Sequence, residues 1–437
     1  MIGMKISGLP IGLRIRLIFC LAVFGCLGVP ITATAAPEDM TPEQMNDAIG
    51  LPLWSSEDLW TQSAADTAAR LPSRLESDTG VESVHLVSAD KVFGVPPENI
   101  KITGKNGTVA DVLIMFANKG DTLGMAPDQR YAANPREYRQ ALAEFRKKEL
   151  QLARVIRQQS DSLEQTLTTL LGPYRKMRFG EGHKTTELVK AWQWSDHVFL
   201  LSEQKDASLS LRIVPAVVAE NRGKAPLVTD ADLQTELQTR ILRRENGDVV
   251  ITGIPMIDQG DKGYCVPSTW ARYLRYMGIP ADEYMLANAA GTTKGGGTHL
   301  SQMLVAVNQL VKQNRRSIKT LTGRITVDQV ARYINKGLPL MWGMYVVGPF
   351  TGYGYPAERM AEQSPEAWSA SLKEARRAAK SIKVDTSKGH TTMIIGYNAQ
   401  TGEIAISDSW GLRHAEKWHT IEEAQAVSQN ELYVVSW

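Results

Sequence analysis

The sequence predicts an α+β protein in two parts, and three observations carry the prediction. At 437 residues the chain is too long for one ordinary hydrophobic core. Its first half reads as short β-branched runs around one long amphipathic helix. Its second half reads as helices first and strands afterwards, the segregated order of an α+β domain. Composition agrees with a folded chain, since 43% of residues are hydrophobic and 22% charged. A formal net charge of only +2 gives no footprint for nucleic acid, so no nucleic-acid partner is expected.

The elements follow in order. Residues 1–35 read as an export signal: Lys5, Arg14 and Arg16 supply positive charge, the apolar run 17–29 is short for a bilayer span, and Ala33-Thr34-Ala35 is a small-x-small cleavage site. No later stretch is long and apolar enough to span a membrane, so a secreted or periplasmic protein is expected. Residues 36–225 are expected to form a first α+β domain. Its lead-in to about residue 80 reads as irregular or short-helical, and 84–89 and 109–117 read as strands. Lys105-Asn106-Gly107 carries hairpin-turn chemistry before the second of these. Apolar residues from Tyr138 to Leu170 recur near every 3.5 positions, predicting a helix over 136–171 that Gly172-Pro173 stops. Runs 189–194, 197–202 and 209–214 read as a meander of strands.

Residues 226–247 are read as a linker, with a short helix over 230–242, and 248–437 as the second domain. There 248–254 reads as a strand. Val266, Trp270, Tyr273 and Met277 share one helical face that ends at Gly278-Ile279-Pro280. Gly295-Gly296-Gly297 reads as a loop, 300–311 as a second helix, and Thr326 with Gln329 as the capping box of a third that stops at Gly337. Runs 338–347, 391–397, 403–407 and 432–436 are the expected strands.

Cysteine count sharpens the functional reading. Cys20 and Cys26 lie in the export signal, so the mature chain carries Cys265 alone. A lone cysteine in an exported protein is a reactive thiol, an intermolecular link or a small buried hydrophobe. Its surroundings favour the first. Cys265 sits where the loop Gln259-Gly260-Asp261-Lys262-Gly263-Tyr264 turns into a helix, and Pro267 fits a first turn that needs no N–H. Unpaired amides and the macrodipole there favour a thiolate. Gln259 is placed to fold back and join the Cys265 N–H in holding an oxyanion. Of seven histidines, His390 opens a buried strand, and Asp408 ends the next one, so a hairpin would bring its carboxylate to the imidazole.

Gln259-x5-Cys265 at a helix start, then His390-x5-Gly396-Tyr397, then Asp408-Ser409-Trp410-Gly411, in this order, resembles the papain-like cysteine peptidases. Their His and Asn follow the Cys by roughly 130–150 residues; here His390 and Asp408 follow by 125 and 143. Pro255-Met256-Ile257-Asp258-Gln259-Gly260, Tyr264-Cys265-Val266-Pro267-Ser268 and Gly389-His390 are most similar to the C39-like peptidase family. The resemblance covers about residues 248–437. It implies a papain-like domain of helices packed on an antiparallel sheet, with Cys265 as nucleophile, His390 as base and acid, Asp408 as orienting residue and Gln259 as oxyanion donor. It implies a peptide or protein substrate and no cofactor. Asp408 stands where papain has Asn, and Val266-Pro267 where papain has Trp-Ala. No ATPase domain accompanies the peptidase part, unlike the transporter-fused members. Residues 348–388, a Gly/Pro-rich loop and a basic helix, read as an insertion near the site mouth.

Other residues read blandly. His299 is a first-turn helix residue; the adjacent glycines lack the order of a phosphate loop. His414 and His419 show no metal-ligand spacing, and no metal is expected. Trp192, Trp194 and His197 read as core rather than a carbohydrate platform. Two alternatives to hydrolysis remain from sequence: a non-catalytic peptide-binding or scaffold module on the same fold, and a transglutaminase-type acyl transferase using the same triad. The first half reads as a pro-segment, an inhibitory cover or a docking module, and oligomeric state is not legible.

Overall fold

A computed structural model describes residues 40–55, 58–123, 126–127, 132–292, 297–298, 300–347 and 364–437. The expected export signal therefore lies outside the described residues, as do Gly295, Gly296 and His299. The described chain lies within one compact unit, Ala35–Trp437.

The first half runs α1 (Pro42–Ile49), α2 (Ala64–Ala69), β1 (Ser73–Asp78), β2 (Glu82–Val87), β3 (Asn99–Lys105), β4 (Thr108–Asn118), α3 (Lys119–Leu123), α4 (Pro135–Leu171), β5 (Arg175–Phe179), β6 (Glu187–Trp194), β7 (His197–Gln204), β8 (Ser208–Pro215) and α5 (Ala216–Glu220). The strands form one antiparallel sheet in the order β1-β2-β3-β4-β8-β7-β6-β5. Asn106 and Gly107, at φ 51° and 88°, make the two-residue turn of the β3–β4 hairpin, the left-handed pair that matches strand twist. Asn134 caps α4 by accepting the N–H groups of Arg136 and Glu137. Gly172, at φ 82°, lets the chain leave it. Leu152, Ile156, Leu163, Leu167 and Leu171 then line one stripe of α4 and pack with Ile114, Phe199 and Leu211 from one sheet face. Each such leucine contributes about 1.5–3 kcal/mol by leaving water.

The opposite face of that sheet meets the second half. Leu113 and Met115 of β4 join Tyr264, Tyr284 and Ala287 in one small apolar cluster. Around it Lys101 bridges Glu76 and Glu283 at 3.1 and 2.9 Å, Arg212 holds Asp111 and Asp282, and Arg275 pairs with Glu82.

The second half runs α6 (Asp230–Thr239), β9 (Ile241–Arg243), β10 (Asp248–Ile251), α7 (Cys265–Tyr276), α8 (Glu283–Ala289), α9 (Leu300–Gln313), β11 (Ser317–Thr322), α10 (Val327–Ile334), β12 (Leu340–Tyr345), α11 (Pro365–Ala379), β13 (Gly389–Asn398), β14 (Glu403–Ser407), β15 (Lys417–Thr420), α12 (Ile421–Val427) and β16 (Ser428–Ser436). Its antiparallel sheet has the order β11-β16-β12-β13-β10-β9, with β14 on β13 and β15 on β14. Helices α7 and α10 bury Trp270, Leu274, Val330 and Ile334 against it in one core. The α+β arrangement of both halves, with helices on an antiparallel sheet in the second, is as the sequence predicts.

Several element bounds differ. The helix expected over 230–242 ends at Thr239, because Ile241–Arg243 pairs with β10 instead. Its Leu233 and Leu237 belong to the core of the second half. Thr326 caps α10 by accepting the Gln329 N–H, as half of the expected box. Of the expected insertion, residues 348–363 lie outside the described residues, and its basic helix is α11.

Candidate active site

Helix α7 begins at Cys265 because the preceding loop can turn sharply. Gly260 and Gly263 take φ of 57° and 70°, values open to glycine at little cost. The N-cap, Tyr264, makes no side-chain cap bond to the first turn of α7. Cys265 is a free, partly exposed thiol at that end, while the rest of its helix is largely buried.

His390 is the second residue of β13, opposite Met344 of β12, and is buried. Strand β14 returns antiparallel to β13 with Ser407 opposite Met393, which brings the next residue, Asp408, back to the imidazole. Nε2 of His390 lies 2.8 Å from Asp408 Oδ1. A carboxylate only accepts, so Nε2 carries a proton towards Asp408, and the Cys265 side chain also acts on the ring, raising its pKa. Asp408 Oδ1 also accepts the Ser409 N–H at 2.7 Å, and the Asp408 N–H donates to His414 O at 2.8 Å. The first bond holds the carboxylate and the second holds the main chain that carries it.

Gln259 lies beside this pair. Its backbone N–H donates to Ser409 O at 2.8 Å, and Ser409 Oγ donates to its Oε1 at 2.6 Å. With Oε1 taken by that bond, Nε2 is the other branch of the buried amide and can only donate. Ser409 therefore ties Gln259 to Asp408.

Electrostatics favour a charged imidazole. Burial pushes the His390 pKa down, but the adjacent Asp408 carboxylate and the bond to Cys265 outweigh it and raise the pKa to about 10. The Trp410 ring stacks on His390 with centroids 4.5 Å apart, a face that suits a cation and excludes water. Behind the site, fully buried Arg272 of α7 donates from Nε to Pro255 O at 2.8 Å and from its terminal nitrogens to Ser407. Burial pushes Arg272 down to about 10, and the Asp408 charge opposes the shift.

All four sequence-predicted residues, Cys265, His390, Asp408 and Gln259, are thus linked through named contacts. Sequence reasoning missed Ser409, Trp410 and Arg272 as members of the site. Trp410 and Ser409 were visible as neighbours of Asp408, and Arg272 as a charge between the apolar residues Ala271 and Tyr273 of α7. The remaining described histidines do other work. His197 is sandwiched by Trp60 and Trp194 and accepts from Trp54 Nε1 at 2.9 Å, so these aromatics are core. His414 meets Lys417 and the edge of Trp410. His419 is buried on β15, and burial followed by nearby Lys417 pushes it down to about 3.

A cysteine at the start of a helix, facing a histidine on an antiparallel sheet, is the arrangement of the papain-like class. Residues 251–435 match the model of the Peptidase_C39 like family, so the second half is a C39-like domain. The chain matches no curated protein.

Proposed function

We propose that the protein is an exported cysteine peptidase that hydrolyses peptide bonds through Cys265, His390 and Asp408. The observation that carries this reading is His390 itself, hydrogen-bonded to Asp408 at 2.8 Å and raised in pKa by both Asp408 and the Cys265 side chain. The family match over the same residues supports it. Export is supported by the sequence of residues 1–35 and agrees with the lack of any described helix long and apolar enough to cross a membrane.

The chemistry follows from the geometry. The thiolate of Cys265 attacks the peptide carbonyl carbon and forms a C–S bond while the carbonyl oxygen takes the electron pair. Gln259 Nε2 and the Cys265 N–H stabilise that oxyanion. The imidazolium gives its proton to the amide nitrogen, the C–N bond breaks, and an amine leaves from a thioester. Water then attacks the thioester as His390 takes its proton, and the thiolate departs from a carboxylic acid product. An amine in place of water would give acyl transfer through the same steps.

The test is labelling of Cys265 by iodoacetamide between about pH 4 and 9, read by intact mass. We expect the folded protein to label faster than the urea-unfolded chain at about pH 6, and His390→Ala to lose that advantage. Folded protein that labels no faster than the unfolded chain would make Cys265 an ordinary thiol and favour a peptide-binding module. Exposure of this lone thiol to oxidants also predicts that turnover requires a reductant.

A further inference from the structure

The loop that carries Gln259 and ends at Cys265 is held by the first half of the chain. At its start the Met256 N–H donates to Ser77 Oγ at 2.9 Å and the Asp258 N–H to Glu76 Oε1 at 3.3 Å. At its end Lys262 Nζ meets Asp121 Oδ1 at 2.7 Å, and the Tyr264 hydroxyl donates to Asn118 Oδ1 at 3.0 Å. These contacts fall one and three residues before Gln259, and one and three before Cys265. Asn118 is itself fixed, since the same Oδ1 accepts the Gly120 N–H at 2.8 Å. Gly120 lies so close to Tyr264 that a Cβ there would sit 2.6 Å from the ring.

The anchoring is buried. Glu76 shares Lys101 with Glu283, and the two carboxylate side chains are only 3% and 2% exposed. Separation of the halves would remove the cation from Glu283, uncover Tyr264 and Tyr284, and take away all four anchors of the loop.

We infer that the first half is a permanent part of the working site, with Asn118 and Gly120 as positioning residues that set the Cys265 end of α7 through Tyr264. The inference rests on the proposed role of Cys265, and the test separates the two. In the full chain, Gly120→Ala, Asn118→Ala and Asn118→Asp are compared with Val87→Ala, a core substitution remote from the loop. Alanine is the better helix former at position 120, so its cost falls on Tyr264. The readouts are the iodoacetamide rate at Cys265 near pH 6 and the thermal midpoint.

Gly120→Ala and Asn118→Ala are expected to slow labelling by roughly tenfold. Asn118→Asp, which keeps the acceptor oxygen, is expected to recover most of that loss. Val87→Ala is expected to lower the midpoint and leave the rate alone. Should Gly120→Ala not fold, the Asn118 pair decides alone. Wild-type rates in Gly120→Ala and Asn118→Ala would overturn the positioning role while leaving Cys265 as nucleophile. Wild type that labels no faster than the unfolded chain would remove the nucleophile and the inference with it.

Discussion

Burial by itself would keep His390 neutral, and the charge of Asp408 reverses that outcome. The folded pKa, about 10, lies above the unfolded value, so the pair stabilises the fold fully below about pH 6.5 and loses that contribution as pH rises towards 10. The urea midpoint of wild type is therefore expected to fall between about pH 6 and 10, and that of His390→Gln to fall less. Asp408→Asn keeps a hydrogen-bond acceptor but removes the negative charge. The imidazolium then loses its partner, the His390 pKa drops, and the alkaline limb of the pH–rate profile moves to lower pH. An unchanged alkaline limb would show that another group sets it. At this scale the sequence was informative: residue types and order pointed to Cys265, His390, Asp408 and Gln259. Ser409 was not legible as a tie, because its bond to Gln259 spans 150 positions and forms only in the folded chain.

Strand β13 is the element on which the site depends. One of its edges is shared, by β12 along residues 389–394 and by β10 along 396–398. At the changeover Gly396 admits β10 so closely that a Cβ would lie 2.6 Å from Val249 O. Gly396→Ala should therefore cost about 1–3 kcal/mol in a urea titration and loosen the strand that carries His390. On α4, Leu163 is fully buried and Leu150 is 65% exposed, so Leu163→Ala should cost about 2–5 kcal/mol and Leu150→Ala under about 0.5. Strongly periodic elements such as α4, β7 and β14 were readable in the sequence. Edge strands were not. β1 (SRLESD), β5 (RKMRF) and β11 (SIKTLT) lie at sheet edges and carry charged and polar residues that read as loop. β3 was hidden for another reason, since its Asn99 and Lys101 face partners in the second half rather than water.

Across the whole molecule the two halves are joined by buried charge and by a small aromatic cluster. Lys101→Met leaves Glu76 and Glu283 buried without their cation and should cost about 3–5 kcal/mol. Both halves should then unfold at a lower midpoint, as read by calorimetry. A loss confined to one half would mean that the halves are stabilised separately. None of this docking was legible in the sequence. Lys101 and Glu283 are 182 positions apart, and each alone reads as an ordinary surface charge. Peptide hydrolysis belongs to the same scale, because the assembled site would carry it out. The most direct test is digestion of a peptide mixture in ¹⁸O-labelled water, with reductant, by wild type, Cys265→Ala and His390→Ala. New peptide termini carrying ¹⁸O are expected from wild type alone. Products that persist in Cys265→Ala, or no products from a wild type whose Cys265 is reactive, would contradict it.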